Sequence, residues 1–288
     1  MQLDTSNVVA DVDQPEAPSQ KIVRVRHPWT WAATAIVVII VALVLFSMVT
    51  NPGFQWPVVG EYLFKPEILQ GLGVTLQLTL IAMVIGLVLG TIIALLRLSE
   101  NKLLTTVSWV YIWLFRSVPV LVQLIIWYNF GALYSTISLG IPFGPALVSM
   151  DTNSLITPLS AAIFGLGLSQ AAYTAEVIRA GILGVPQGQV KAALALGMRR
   201  LMIFRRIVLP QAMKLIIPPV GNEVISMVKN TSLVSVIALA ELLYTSQLIY
   251  SRTYQTIPLL IVASIWYLVV VTVLTTGQHF LERKFRQR

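Results

Sequence analysis

The sequence predicts an all-α integral membrane protein: six transmembrane helices and a short basic helix on the cytoplasmic side. Three observations carry this. Of 288 residues, 56% are hydrophobic and only 11% charged, with a mean hydropathy of +0.79, against about 25% charged in soluble domains. Apolar runs recur along the chain, each near the roughly 20 residues needed to cross hydrocarbon. The cations behind the net charge of +8 sit at the ends of those runs. They therefore report topology rather than a nucleic-acid footprint, and no nucleic-acid partner is expected.

The same composition excludes several functions. With no Cys, neither disulfides nor thiolate metal sites are possible. The two histidines, His27 and His279, flank the first and last apolar runs, so no metal site or histidine-based catalysis is expected. No G-x-x-x-x-G-K-[ST] sequence occurs, so the chain should not bind ATP by itself. No catalytic residue and no cofactor are expected.

Residues 1–20 are polar and acidic with two prolines, a composition that does not support a packed core. Lys21, Arg24 and Arg26, then Trp29 and Trp31, mark a basic and aromatic membrane border. Residues 1–31 thus read as a cytoplasmic tail. The charge-free run 32–50 is long for a signal-peptide core and no A-x-A-like cleavage site follows, so it reads as an uncleaved anchor helix. Residues 51–67 hold three prolines and aromatic residues, fitting an external loop.

The second span, 68–97, contains Gly86-x-x-x-Gly90, which permits close helix packing within the chain. The third, 105–136, is interrupted at Arg116-Ser117-Val118-Pro119, where proline removes a backbone bond and bends the helix. Arg116 either neutralises carbonyls at this break or borders a path. Residues 137–157 are rich in turn formers and read as external. Thr157-Pro158 is an N-cap followed by proline, opening the fourth span, 158–183, on which Glu176 and Arg179 lie one turn apart. The fifth span, 207–229, holds Pro210, Pro218, Pro219 and Gly221 and is unusually polar at its end; the sixth is 257–280.

Between the fourth and fifth spans lies GVPQGQVKAALALGMRRLMIFRRIVLPQ, carrying five Lys/Arg before Pro210 and no acid. Residues 189–196 contain three alanines and neither Gly nor Pro, and Gly197 is a natural stop. Eight helical residues rise only about 12 Å, so this element lies at the membrane surface. Six spans place both termini inside with this loop, leaving only Lys65 and Arg252 outside.

Ala192-Ala193, Gly197 and Ile207-x-Leu209-Pro210, at their spacing, resemble the EAA loop of ABC importer permeases. FRSVPVLVQ (115–123), AAYTAEVIRAGI (171–182) and GNEVISMVKNTSLVSVIALAEL (221–242) narrow the resemblance to polar amino-acid permeases of the histidine/glutamine/arginine type, over about residues 68–285. The resemblance implies a type I importer core of five spans, so that 32–50 is an addition. It implies a permease subunit of the bacterial cytoplasmic membrane that moves a polar amino acid by alternating access. The implied partners are two copies of a cytosolic ABC ATPase subunit, a second permease subunit (the same chain or a related one), an extracytoplasmic amino-acid-binding protein and the lipid bilayer. The ATPase would dock on the loop 184–210 through Gly188, Lys191, Ala192, Ala193, Gly197, Leu209 and Pro210. Lys191 stands where such loops usually carry Glu, reversing a charge.

For the amino-acid substrate, the candidate ligands are Glu223, Asn222, Gln170 and Gln123. An ionisable side chain at membrane depth is a functional candidate by default. Glu223 follows Pro218-Pro219 and Gly221, where backbone groups are freed. Two readings stay open: Glu223 with Asn222 alongside faces the pathway, or Glu223 pairs with Lys229 or Arg116 and only holds helices together.

Overall fold

A computed structural model describes residues 28–140 and 146–286. The expected tail up to residue 27, with Lys21, Arg24 and Arg26, lies outside the described residues. The chain divides into two compact units, meeting in sequence at Pro52–Gly53. The first holds α1 (Pro28–Thr50), 22 of whose residues form one charge-free apolar stretch long enough to cross a membrane.

The second unit begins with α2 (Trp56–Tyr62) and α3 (Pro66–Arg97). α4 (Lys102–Ser117) and α5 (Val120–Tyr128) follow, bent by 100° at the break between them. The proline at 119 cannot donate a backbone bond, and the chain repairs the break with Gln123. Its Nε2 donates to the carbonyls of Phe115 at 2.9 Å and Val118 at 2.8 Å. The break is sharper than a proline kink, because α5 restarts with Pro119 as its own N-cap.

After the short α6 (Phe130–Leu133) comes a departure from the all-α expectation. β1 (Thr136–Gly140) and β2 (Ala146–Asp151) form an antiparallel ribbon, pairing Thr136 with Asp151 and Ile137 with Met150. TISLG and the VSMD end of ALVSMD alternate apolar and small polar residues, the period-2 pattern of a strand, in a stretch whose turn formers masked it.

α7 (Thr152–Leu155) leads into α8 (Pro158–Leu183), the central helix. Its start is a capping box: Thr157 Oγ1 accepts from the Ser160 backbone N–H, and Ser160 Oγ accepts from that of Thr157. α9 (Gln187–Ala195), α10 (Arg200–Ile203) and a π-turn (Phe204–Val208) carry the basic loop into α11 (Leu209–Asn230), which contains Pro218 and Pro219. A 3₁₀ turn (Thr231–Ile237), α12 (Leu242–Thr253) and α13 (Thr256–Arg286) complete the chain. Among the described residues four helices are long and apolar enough to cross a membrane, or up to six if each bent pair is one span.

α8 packs against α3, α4, α5 and α11. Its buried face is mostly small: Ala161, Ala162, Gly165, Gly167, Ala171, Ala172, Ala175 and Gly181. Small residues let helices approach in a membrane, where hydrophobic exclusion between helices is absent. On α3, Ile85 meets Gly167, Gly86 meets Gln170 and Gly90 meets Thr174 and Ala175. Both numbers rise together, so α3 and α8 run parallel and end on one side of the bundle.

Sequence reasoning passed over Glu241, which is fully buried at 0% exposure. One oxygen accepts from the Tyr244 backbone N–H at 2.8 Å, capping α12. The other accepts from the Tyr267 hydroxyl at 2.7 Å and Thr75 Oγ1 at 3.3 Å. This carboxylate staples α3, α12 and α13, and the cap position explains why an acid interrupts so apolar a stretch.

The α3–α8 contact yields a direct test. A Cβ on Gly90 would lie 2.9 Å from the Ala171 carbonyl oxygen and 3.1 Å from the Ala175 nitrogen, both backbone atoms that cannot swing aside. Gly90→Ala should destabilise the protein by about 1–3 kcal/mol. Gly73→Ala, with open space at that position, should be neutral or slightly stabilising. Thermal unfolding in detergent separates the two; equal melting temperatures would show that the helices are not in close contact at Gly90.

Candidate functional site

The candidate site lies where α8 crosses α11. Gln170 and Thr174, one helical turn apart on α8, both aim at Glu223 of α11. Gln170 Nε2 donates to Glu223 Oε2 at 2.7 Å and to Thr174 Oγ1 at 3.0 Å, and Thr174 Oγ1 donates to Glu223 Oε2 at 2.8 Å. Gln170 and Thr174 are buried while Glu223 is partly exposed. Gly86 makes this possible: a Cβ there would collide with the Gln170 side chain, so the glycine pair that seats α3 on α8 also clears room for the site.

All the donors converge on one oxygen. Among the described residues Glu223 Oε1 has no hydrogen bond, and Glu223 forms no salt bridge with Lys229 or Arg116. Neither expected ion pair forms at salt-bridge distance, although the Arg116 charge acts on Glu223 from further away, and the two hydrogen bonds to α8 tie the helices together. A carboxylate fixed through one oxygen and open at the other is a pre-oriented acceptor for a cation or an N–H group.

The structure does not bring the other expected ligands to this point. Asn222 is exposed and turns toward α13, where its Oδ1 accepts from Gln278 Nε2 at 3.1 Å. The expectation that it stands alongside Glu223 is corrected, because consecutive helical residues point about 100° apart. Gln123 is buried with its amide nitrogen committed to the α4–α5 break; its Oε1 is buried and unpartnered. Thr174 is a member the sequence reading missed. Its signal was its position, four residues after Gln170 on the same helix face.

The basic loop forms a second constellation. Gly197 has φ +75°, a left-handed conformation that glycine adopts freely. The Met198 N–H bonds to the Ala193 carbonyl at 3.1 Å, and the Gly197 N–H to that of Leu194 at 2.9 Å, the Schellman closure of α9. Ala193 turns inward at 3% exposure, packing with Ile203, Val208 and Ala212. Its small size serves that internal contact. The outward side carries Lys191, Ala192, Leu194 and Leu196, the last 82% exposed. Gly188, Leu209 and Pro210 are also exposed. Gln211 Nε2 donates to Gln189 Oε1 at 2.6 Å and so ties α9 to the start of α11.

Comparison with known proteins agrees with this architecture. Residues 86–287 match the family model described as "Binding-protein-dependent transport system inner membrane component". The chain is 43% identical over 265 residues to the arginine transport system permease protein ArgU of Corynebacterium glutamicum, covering 91% of this chain and 82% of that one. It is 35% identical over 240 residues to the L-cystine transport system permease protein TcyB of Bacillus subtilis, covering 83% and 94%. A crystal structure of an amino acid ABC transporter with histidines superposes with TM-score 0.66 at 36% identity, covering 77% of this chain and 95% of that chain. The MetNI methionine ABC transporter, at 18% identity and TM-score 0.61 over 76% of this chain and 96% of that one, shares the fold. The helical bundle is the type I ABC importer permease fold, and the chain belongs to the family of binding-protein-dependent transport system inner membrane components.

Proposed function

We propose that this permease component of an amino-acid ABC transport system carries a basic amino acid, with the open oxygen of Glu223 receiving the substrate's cationic group. The observation that carries the reading is the one-sided tether of Glu223 by Gln170 and Thr174. Burying an unpaired cation at membrane depth costs many kcal/mol, and a fixed anion offsets that cost. The 43% identity to an arginine permease supports a basic substrate.

In this reading each bent helix pair is one span. The permease has six spans, both termini are cytoplasmic, and the membrane is the bacterial inner membrane. α9 is the coupling helix on which an ATPase subunit docks in a groove. Two permease subunits, two ATPases and an extracytoplasmic amino-acid-binding protein complete the importer. ATP binding on the partner acts by favouring one facing state over the other. The ATPase contact falls on the outward side of α9, Lys191, Ala192, Leu194 and Leu196, with Ala193 anchoring the helix from behind.

Glu223→Gln keeps the size of the side chain and removes its charge. It should lower uptake of labelled arginine by about 10- to 100-fold, in line with roughly 1.5–3 kcal/mol for a hydrogen bond to a charged group, at unchanged membrane level. Uptake and substrate preference identical to the parent would show that the carboxylate is not a ligand.

The docking surface has its own test. Leu196→Asp places a charge on an exposed position without disturbing the bundle, whereas Gly197→Pro forbids the positive φ that closes α9. Both should abolish substrate-stimulated ATP hydrolysis in the reconstituted importer while the permease still inserts. Retention of coupled hydrolysis in both variants would place the contact elsewhere.

A further inference from the structure

A cleft beside the Glu223 site opens between α3, α4 and α8; Tyr173 on its wall precedes Thr174, and the Arg116 charge acts on Glu223 as well. The cleft volume is about 420 Å³, and Arg97, Arg116, Arg179 and Glu176 line it. Three guanidinium groups thus face one carboxylate. Glu176 is already committed to Arg179, both of its oxygens accepting from that side chain. Among the described residues Arg97 and Arg116 form no ion pair. Arg116 rests 5.3 Å above the Tyr173 ring, a cation–π contact that holds the guanidinium plane in place; Glu176 acts on Arg97 and Arg116 from beyond salt-bridge distance, leaving three cations to one carboxylate in the cleft.

The position of the cleft narrows the ligand. Arg97 is in the last turn of α3 and Arg179 near the end of α8. Because these helices run parallel, both mark the end of the bundle from which the basic loop emerges. On the α4 wall, Trp109 and Trp113 stack with centroids 6.3 Å apart, each about half exposed, as aromatic residues do at a membrane interface. The rest of that outer face, Leu103, Val107, Val110 and Leu114, is exposed and apolar. An anion pocket at interface level beside an apolar wall matches a molecule with a charged head and hydrocarbon tails. Paired guanidinium groups match a phosphate in particular.

We propose that this cleft binds the phosphate of an anionic phospholipid, held between Arg97 and Arg116, with its acyl chains along the outer face of α4. The test is native mass spectrometry of the full chain released from detergent, with phosphatidylglycerol, phosphatidylcholine and inorganic phosphate supplied in turn. The parent should retain phosphatidylglycerol in clear preference to phosphatidylcholine. R97Q/R116Q should weaken that binding by about 30-fold, roughly fivefold for each arginine near a membrane surface. R97Q alone should show about the fivefold step, so the result stands even where the double variant does not fold. R97K/R116K, which keeps both charges, should keep most of the preference. Equal retention of the two lipids, or an undiminished preference in R97Q, would overturn the proposal. Displacement of phosphatidylglycerol by millimolar inorganic phosphate would assign the pocket to a soluble anion and overturn the lipid assignment.

Discussion

The structure depends on one contact, the close parallel seating of α3 on α8. In hydrocarbon the hydrophobic effect does not drive helices together, so packing and interhelical hydrogen bonds must do so. Gly86 and Gly90 on α3 and the small-residue face of α8 bring the two backbones together. Everything functional is built outward from that pair. Gln170 lies in the space Gly86 leaves, Thr174 lies opposite Gly90, and Glu223 reaches both from α11. The arginine-lined cleft draws Arg97 and Arg179 from the ends of the same two helices, which finish together.

A second constraint runs through the rest of the bundle. Backbone polar groups in a membrane need partners, so each break in a helix must be repaired. The α4–α5 break is repaired by the Gln123 amide, the start of α8 by Thr157 and Ser160, and the start of α12 by Glu241. Several polar residues that look like ligands in a hydropathy reading serve the backbone instead. The Gln123 amide nitrogen and one Glu241 oxygen are used in this way, whereas neither Glu223 oxygen bonds the backbone.

How much of this was legible in the sequence follows from which features are local. The break before Pro119, the Thr157 cap and the stop at Gly197 each depend on a few adjacent residues, and the structure shows all three. The ribbon of β1 and β2 was missed because the Gly and Pro residues between the two segments in sequence outweighed the short strand alternation. The partners of Glu223 are 49 and 53 residues away, and no periodicity reports a contact at that separation. Asn222 shows the opposite failure: adjacency in sequence suggested a shared role that helical geometry divides between two neighbours. Ala193 likewise fits its motif, yet only the fold reveals that it faces inward.

The continuity of α11 has a mechanical consequence. Near its start Gln211 is bonded to Gln189 of α9, and twelve residues later comes Glu223, about 18 Å along the same helix. The surface helix and the carboxylate are thus joined through one continuous helix. That helix is softest at Pro218 and Pro219, where two successive residues contribute no ladder donor. Its compliance is concentrated one turn before Glu223.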